Sequence, residues 1–331
     1  VGEAVIAAVR DCGLPEGAFS LLYGGGRTVG QRLVKHPSLK AVGFTGSRSG
    51  GRALFDLAAS RPEPIPVYAE MSSVNPVFLL PSALQNRHEE IAQGFHASAT
   101  LGVGQFCTNP GIALYEVGGS GDLFKSTFVN LMGDSVAAPM LHQGIRDAYG
   151  DGLSSFSDHS EIETLTDLPE ERGAGGCDAS AVVFATDAAS LLADPSLSDE
   201  IFGPSSLVVA CEGREQMLEV ARQLEGQLTA SIFGEDDDLA ANQDLVDVLE
   251  TKAGRLLFNQ FPTGVEVCHS IVHGGPYPAT SDGRSTSVGT AAILRFARPV
   301  CFQGFPQERL PDELKDANPL NIQRMINGQL V

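Results

Sequence analysis

Lys40-Ala41-Val42-Gly43-Phe44-Thr45-Gly46-Ser47 carries a short β-prone run into a glycine turn and then into a helical stretch that reaches about Ser60. The same order occurs just before it: Phe19-Ser20-Leu21-Leu22-Tyr23 reads as a strand, Gly24-Gly25-Gly26 as a turn, and Thr28 to His36 as a helix. Strand, glycine turn and helix in repetition build a parallel sheet whose ligands gather at the carboxyl ends of the strands. This segment is predicted to be half of a nucleotide-binding sheet. The helix opened by Ser47 would present unpaired N–H groups and a positive dipole end to a pyrophosphate, although Ser47 fits a plain helix cap equally well.

Moving outward, Arg61-Pro62-Glu63-Pro64-Ile65-Pro66 punctuates the pattern, and Val67 to Glu70 makes a strand that ends at a carboxylate. A strand is then expected near Pro76 to Leu80, a helix from Arg87 to Leu101, a cysteine turn, and a strand from Ile112 to Val117. Later strands are expected at Ala181 to Ala185, Ser206 to Ala210, Leu228 to Phe233 and Arg255 to Asn259, with helices at Arg214 to Leu224 and Leu239 to Glu250. Strands alternating with helices imply a second covered sheet, so the fold class is α/β. Gly274 to Ser287 is a Gly/Pro/Ser/Thr-rich loop, and Thr290 to Phe302 is a long β-prone run expected to pair with another subunit's sheet edge. The domain reading is 1–69, the second half of a dinucleotide-binding domain; 70–283, a catalytic domain; and 284–331, a bridging strand and tail.

The 331 residues carry a net charge of −19, from 41 acids against 22 bases. Such a chain is repelled by nucleic acid and by anionic membrane surfaces, so neither is expected as a partner. The six cysteines stand far apart, with no CxxC pair and no zinc spacing, which predicts reduced thiols, no metal and a cytoplasmic protein. The helical spacing of Val1 to Arg10 starts without a cap and without a preceding strand, which is expected of a piece cut from a longer protein.

Gly104-Gln105-Phe106-Cys107-Thr108-Asn109-Pro110-Gly111 sets one thiol between glycines. A thiol on such a turn is exposed to substrate, and the backbone beside it can approach a ligand closely. Glu70, a lone carboxylate after an apolar strand, is expected to be a general base with a raised pKa. Glu200-Ile201-Phe202-Gly203-Pro204 places an acid and a ring before a Gly-Pro turn, and spacing alone favours packing there. A cysteine hydrolase or acyltransferase would need a histidine base, and none of the seven histidines is expected in that setting. A non-catalytic assembly module is the third reading.

Phe44-Thr45-Gly46-Ser47, the strand ending at Glu70, Gly104 to Cys107 and Glu200 to Pro204, in this order, resemble the aldehyde dehydrogenase superfamily. Gly24 to Gly30 and Asn259 also fall where that family keeps a glycine turn and a strand-end asparagine. The likeness spans essentially the whole chain. Glu70-Met71-Ser72-Ser73-Val74-Asn75-Pro76, Gly104 to Gly111 and Asp316-Ala317-Asn318-Pro319 look like its α-ketoglutaric semialdehyde (2,5-dioxopentanoate) dehydrogenase branch; Met71-Ser72-Ser73 replaces the usual Leu-Gly-Gly.

The resemblance implies an aldehyde dehydrogenase-like fold: a partial nucleotide-binding sheet, an α/β catalytic domain and a C-terminal oligomerisation strand, in a homo-dimer or tetramer. It implies Cys107 as the nucleophile that forms a thiohemiacetal and then a thioester, with Glu70 activating the hydrolytic water. NAD or NADP would be held by Gly26, Gly30, Phe44, Gly46, Ser47, Glu200 and Phe202. The aldehyde, 2,5-dioxopentanoate or another fatty aldehyde or semialdehyde, would meet Phe106 and Thr108, with Arg284 as the cation for its carboxylate. The family's oxyanion asparagine and ribose lysine belong to segments upstream of this sequence, so the chain alone is expected to be weakly active or inactive.

Overall fold

Two parallel strands, β1 (Val42–Thr45) and β2 (Val67–Glu70), open the computed structural model, which describes residues 1–169 and 176–331; Thr45 stands opposite Glu70. Helix α1 (Gly2–Asp11) buries none of its residues, and α2 (Gln31–Lys35) buries only Val34. Helix α3 (Arg48–Ala59) covers the strand pair, and its Ala58 joins Val34, Ile65, Val67, Ala69 and Met71 in a small core. Ser47 caps α3, its Oγ accepting from the Gly50 N–H at 3.2 Å. A Cβ on Gly46 would come within 2.7 Å of the Phe44 ring, so a side chain there would push that ring aside.

The larger sheet comes from β3 (Val77–Leu79), β4 (Ile112–Glu116), β6 (Glu163–Thr164), β8 (Val182–Asp187), β9 (Ser205–Cys211), β10 (Gln227–Phe233) and β11 (Ala253–Phe258), while β5 (Ala138–Pro139) and β7 (Asp178–Ala179) form a short ribbon apart. Its order is β11-β10-β3-β4-β9-β8-β6, parallel throughout except for β6 against β8. The central strands are buried along their length, which is why they read as continuous apolar runs. One face packs on α4 (Pro81–Thr100) and α5 (Gly119–Gly133) through Phe95, Phe124 and Phe128. The other packs on α6 (Gln143–Ser157), α7 (Ala188–Ala193), α8 (Arg214–Gln223) and α10 (Gln243–Lys252), the last preceded by the short α9 (Asp236–Ala241).

Two expected strands are absent among the described residues. Phe19 to Tyr23 is irregular, with Leu22 and Tyr23 exposed, because no strand lies beside it to take its backbone groups. Thr290–Phe296 forms a 3₁₀ turn and 297–302 is irregular, so the long arm is not a strand in the single chain. The helix expected from Thr28 to His36 divides into a wide turn, Gly26–Gly30, and α2. By contact, the chain makes two units, Val1–Ala292 and Ile293–Val331. The second contains a hairpin, β12 (Met325–Ile326) with β13 (Gln329–Leu330), across Asn327-Gly328, both at positive φ as a two-residue hairpin turn requires. Among the described residues no helix is long and apolar enough to cross a membrane.

Candidate active site

Glu70 leaves the carboxyl end of β2 and is held there by an added segment: Met71 N donates to Ala279 O at 2.8 Å and Ser281 N to Ala69 O at 2.9 Å. The same loop brings in His273, whose Nε2 lies 3.3 Å from Cys107 Sγ and 3.3 Å from Glu70 Oε1. Ser287 Oγ donates to Glu70 Oε2 at 2.9 Å, and the His273 N–H donates to Thr286 Oγ1 at 2.9 Å. Thiol, imidazole and carboxylate therefore meet at one point from residues 70, 107 and 273. Glu70 and His273 are 4% and 5% exposed, whereas Cys107 is half-buried and reachable.

The cysteine turn is shaped by its backbone. After α4, Gly102, Val103 and Gly104 all take left-handed φ values of 57°, 60° and 64°. For a β-branched valine this is a strained geometry of the kind that clusters at functional sites. A Cβ at Gly104 would collide with the Gly203 carbonyl, so the turn needs glycine to lie against the Phe202-Gly203-Pro204 loop. Asn75, fully buried, donates through Nδ2 to Cys107 O at 3.0 Å and Asn109 O at 2.9 Å. Its Oδ1 accepts from Ser73 Oγ and Thr229 Oγ1, and Gln227 Oε1 accepts from Ser73 Oγ, Val74 N and Asn75 N. The loop bearing the thiol is thus fastened to the sheet by buried amides.

Hydrogen bonds with Cys107 and Glu70 raise the pKa of His273 to about 9 against the opposing effect of burial. Burial pushes the Glu70 carboxyl up, but His273, Ser287 and Cys107 together outweigh it and the net direction is down. This corrects the expected raised base: Glu70 is an ionised carboxylate at neutral pH. The imidazole keeps its proton there and places positive charge 3.3 Å from sulfur, which stabilises negative charge developing on it. The three donor atoms lie within 4.8 Å of one another and would suit a zinc-type ion with an open fourth position; here they bond to one another.

Beside the trio, Ser47, Arg48, Arg52, Ser72, Glu200, Glu225 and Gln227 line a cleft of about 450 Å³. A smaller pocket under Gly104 and Phe202 shares Ser73, Val74 and Glu200 with it, so the cleft leads to the cysteine turn. Burial pushes the Glu200 carboxyl up to about 7, against hydrogen bonds from the Ser72 side chain and the Ser73 backbone. Arg48 forms a two-point ion pair with Glu225 and stacks on Tyr277, 5.6 Å from the ring centroid. A helix start, two arginines and a partly neutral carboxyl suit the pyrophosphate and ribose of a dinucleotide.

The structure brings Cys107 to Glu70, and Ser47 to Glu200, as their chemistry requires. Phe106 is 38% exposed on the cysteine turn and Phe202 37% exposed at the pocket. Thr108 is 1% exposed, its carbonyl accepting from Thr263 Oγ1, so it packs inward rather than facing a substrate. Phe44 packs under α3, and neither it nor Gly26 nor Gly30 is among the described residues lining the cleft. The Arg284 side chain is 93% exposed and paired with Asp282. His273 overturns the expectation that no histidine is set to serve a thiol; the only signal was its place before Gly274-Gly275, and the partner is 166 residues away.

Sheet, cysteine turn and strand-end glutamate define a dehydrogenase-type α/β fold. Residues 1–134 match the model of the Aldehyde dehydrogenase family. It is 50% identical over 99% of its length to "Alpha-ketoglutaric semialdehyde dehydrogenase 2" of Azospirillum brasilense, and 45% identical over all of it to "Alpha-ketoglutaric semialdehyde dehydrogenase" of Acinetobacter baylyi. It spans 62% of each of those relatives. A crystal structure of Proline Utilization A (PutA) from Bradyrhizobium japonicum superposes with a TM-score of 0.73 over 89% of this chain and 30% of that one, at 21% identity, a likeness of fold alone.

Proposed function

We propose that this chain carries the chemical centre of an NAD(P)-dependent aldehyde dehydrogenase that oxidises 2,5-dioxopentanoate to 2-oxoglutarate. The observation that carries the reading is the Cys107–His273–Glu70 contact, 3.3 Å on each side of one imidazole nitrogen. Cys107 is the nucleophile: its sulfur adds to the aldehyde carbon while the imidazolium of His273 balances the charge. The nicotinamide, when bound, supplies hydride acceptance. Glu70, already ionised, takes a proton from the water that attacks the resulting thioester, which returns the thiol and releases the acid. Ser47 and α3 hold the pyrophosphate, Glu200 the nicotinamide ribose, and Phe202 shields the ring.

The test is nicotinamide reduction with 2,5-dioxopentanoate and with simple aldehydes, in protein of the relatives' full length, for wild type and Cys107→Ala. Activity that survives Cys107→Ala sinks the mechanism. Cofactor-independent acyl transfer gains one specific support, the histidine at the thiol. Turnover of thioesters without nicotinamide, combined with no reduction of NAD or NADP, would make that reading the correct one.

A further inference from the structure

Arg255 adds a cation to the surroundings of Cys107. It stands on β11 opposite Thr229 of β10 and turns its guanidinium into the loop that follows the strand: Nη2 donates to Pro262 O at 2.8 Å and Nη1 to Gly264 O at 3.3 Å. Between those carbonyls, Thr263 Oγ1 lies 2.8 Å from Ser98 Oγ and 3.4 Å from Thr108 O, the residue next to the thiol. The arginine thus sits behind a loop seated directly on the cysteine turn. Its Nε is buried and without a hydrogen-bond partner, and among the described residues no carboxylate pairs with it.

Arg48, Arg52, Arg87, Arg214 and Arg284 each hold an acidic partner, whereas Arg255, like Arg61, Arg146 and Arg324, donates to backbone carbonyls. A desolvated cation left without an anion is costly, and sites that bind an anion accept that cost in the empty state. Burial lowers the Arg255 pKa, and the charge of Cys107 is what opposes the shift. Arg284, the residue first expected to meet a substrate carboxylate, is in solvent and already paired.

We infer that Arg255 is the specificity-determining cation of this site, drawing aldehydes that carry a carboxylate toward Cys107 and disfavouring uncharged ones. This deepens the reading of the chain as an oxidiser of an anionic semialdehyde and rests on it. The test needs neither cofactor nor turnover, so its failure is distinct from failure of that reading. Cys107 is alkylated with anionic iodoacetate and with neutral iodoacetamide, and peptide mass spectrometry gives the ratio of the two rates. The exposed Cys12 and Cys301 of the same chain serve as references.

Arg255→Gln is expected to lower the iodoacetate-to-iodoacetamide ratio at Cys107 by about tenfold, as loss of one nearby charge at intermediate dielectric does. Ratios at Cys12 and Cys301 stay as in wild type, and Arg255→Lys, which keeps charge but not the fork onto Pro262 and Gly264, retains most of the preference. Equal slowing of both reagents in the Gln and Lys variants would assign Arg255 to loop support alone and overturn the inference. An unchanged ratio in Arg255→Gln overturns it equally, as does a loss seen in Arg284→Ala instead.

Discussion

His273 ties the trio together, one nitrogen facing both sulfur and carboxylate at 3.3 Å. Its pKa of about 9 lies above the ordinary 6.5, so its contribution to stability is complete below 6.5 and is lost as pH rises through 9. Glu70 runs the other way: its lowered pKa gives a contribution complete above the ordinary 4.5 and lost as pH falls through its folded value. Both are in force between 4.5 and 6.5. His273→Gln is therefore expected to cost roughly 3 kcal/mol near pH 6, since each tenfold gain in proton affinity on folding is worth about 1.4 kcal/mol, and distinctly less at pH 10. Urea unfolding at the two pH values checks this; a cost independent of pH would show that the imidazole is only packing. Glu70→Gln in full-length protein should leave an acyl adduct on Cys107, visible by intact mass after mixing with aldehyde and cofactor. Its absence, with normal product release, would remove Glu70 as the hydrolytic base.

Two elements place the Cys107 thiol, a left-handed glycine and a buried side-chain amide. Gly104, at a φ of 64° and against the Gly203 carbonyl, has neither the conformation nor the space for a side chain. Gly104→Ala is expected to cost more than about 2 kcal/mol and to slow Cys107 alkylation, because a left-handed alanine and a backbone collision add. A melting temperature within a degree of wild type would contradict that. Asn75 closes the turn from the other side, and Asn75→Ala leaves the buried Cys107 and Asn109 carbonyls short of a donor. Roughly 1–3 kcal/mol of destabilisation follows from the unmade bonds, measurable by denaturant titration, whereas Asn75→Asp keeps the acceptor and loses the donor and should be no better. At the cleft, Ser47→Ala removes one cap from α3 and should cost about 1 kcal/mol.

At the scale of the whole molecule, each member of the trio, the cleft and Arg255 lies in the unit Val1–Ala292. A chain ending at Ala292 is expected to keep the Cys107 alkylation rate within about twofold, because Cys107, His273, Glu70 and Arg255 all belong to that unit; a large loss would assign residues 293–331 a part in the site. Strands buried on both faces were legible from their apolar runs, and Val67–Glu70 appears with the expected bounds. The region between β4 and β8 was not, because α5 and α6 carry several glycines that mask helical periodicity. The arm from Thr290 was misread for the opposite reason: β-propensity describes fitness for a sheet, and a run with no neighbour has no ladder to join. The sequence by itself determined the parallel α/β class, the thiol on its glycine turn and the strand-end carboxylate, since each is written in local spacing and residue type. Only the tertiary structure decided that His273 joins them, that Glu70 is held ionised, and that Arg284 lies in solvent paired with Asp282. The first two rest on long-range contacts, and the pKa of a buried group is set by neighbours that sequence distance does not reveal.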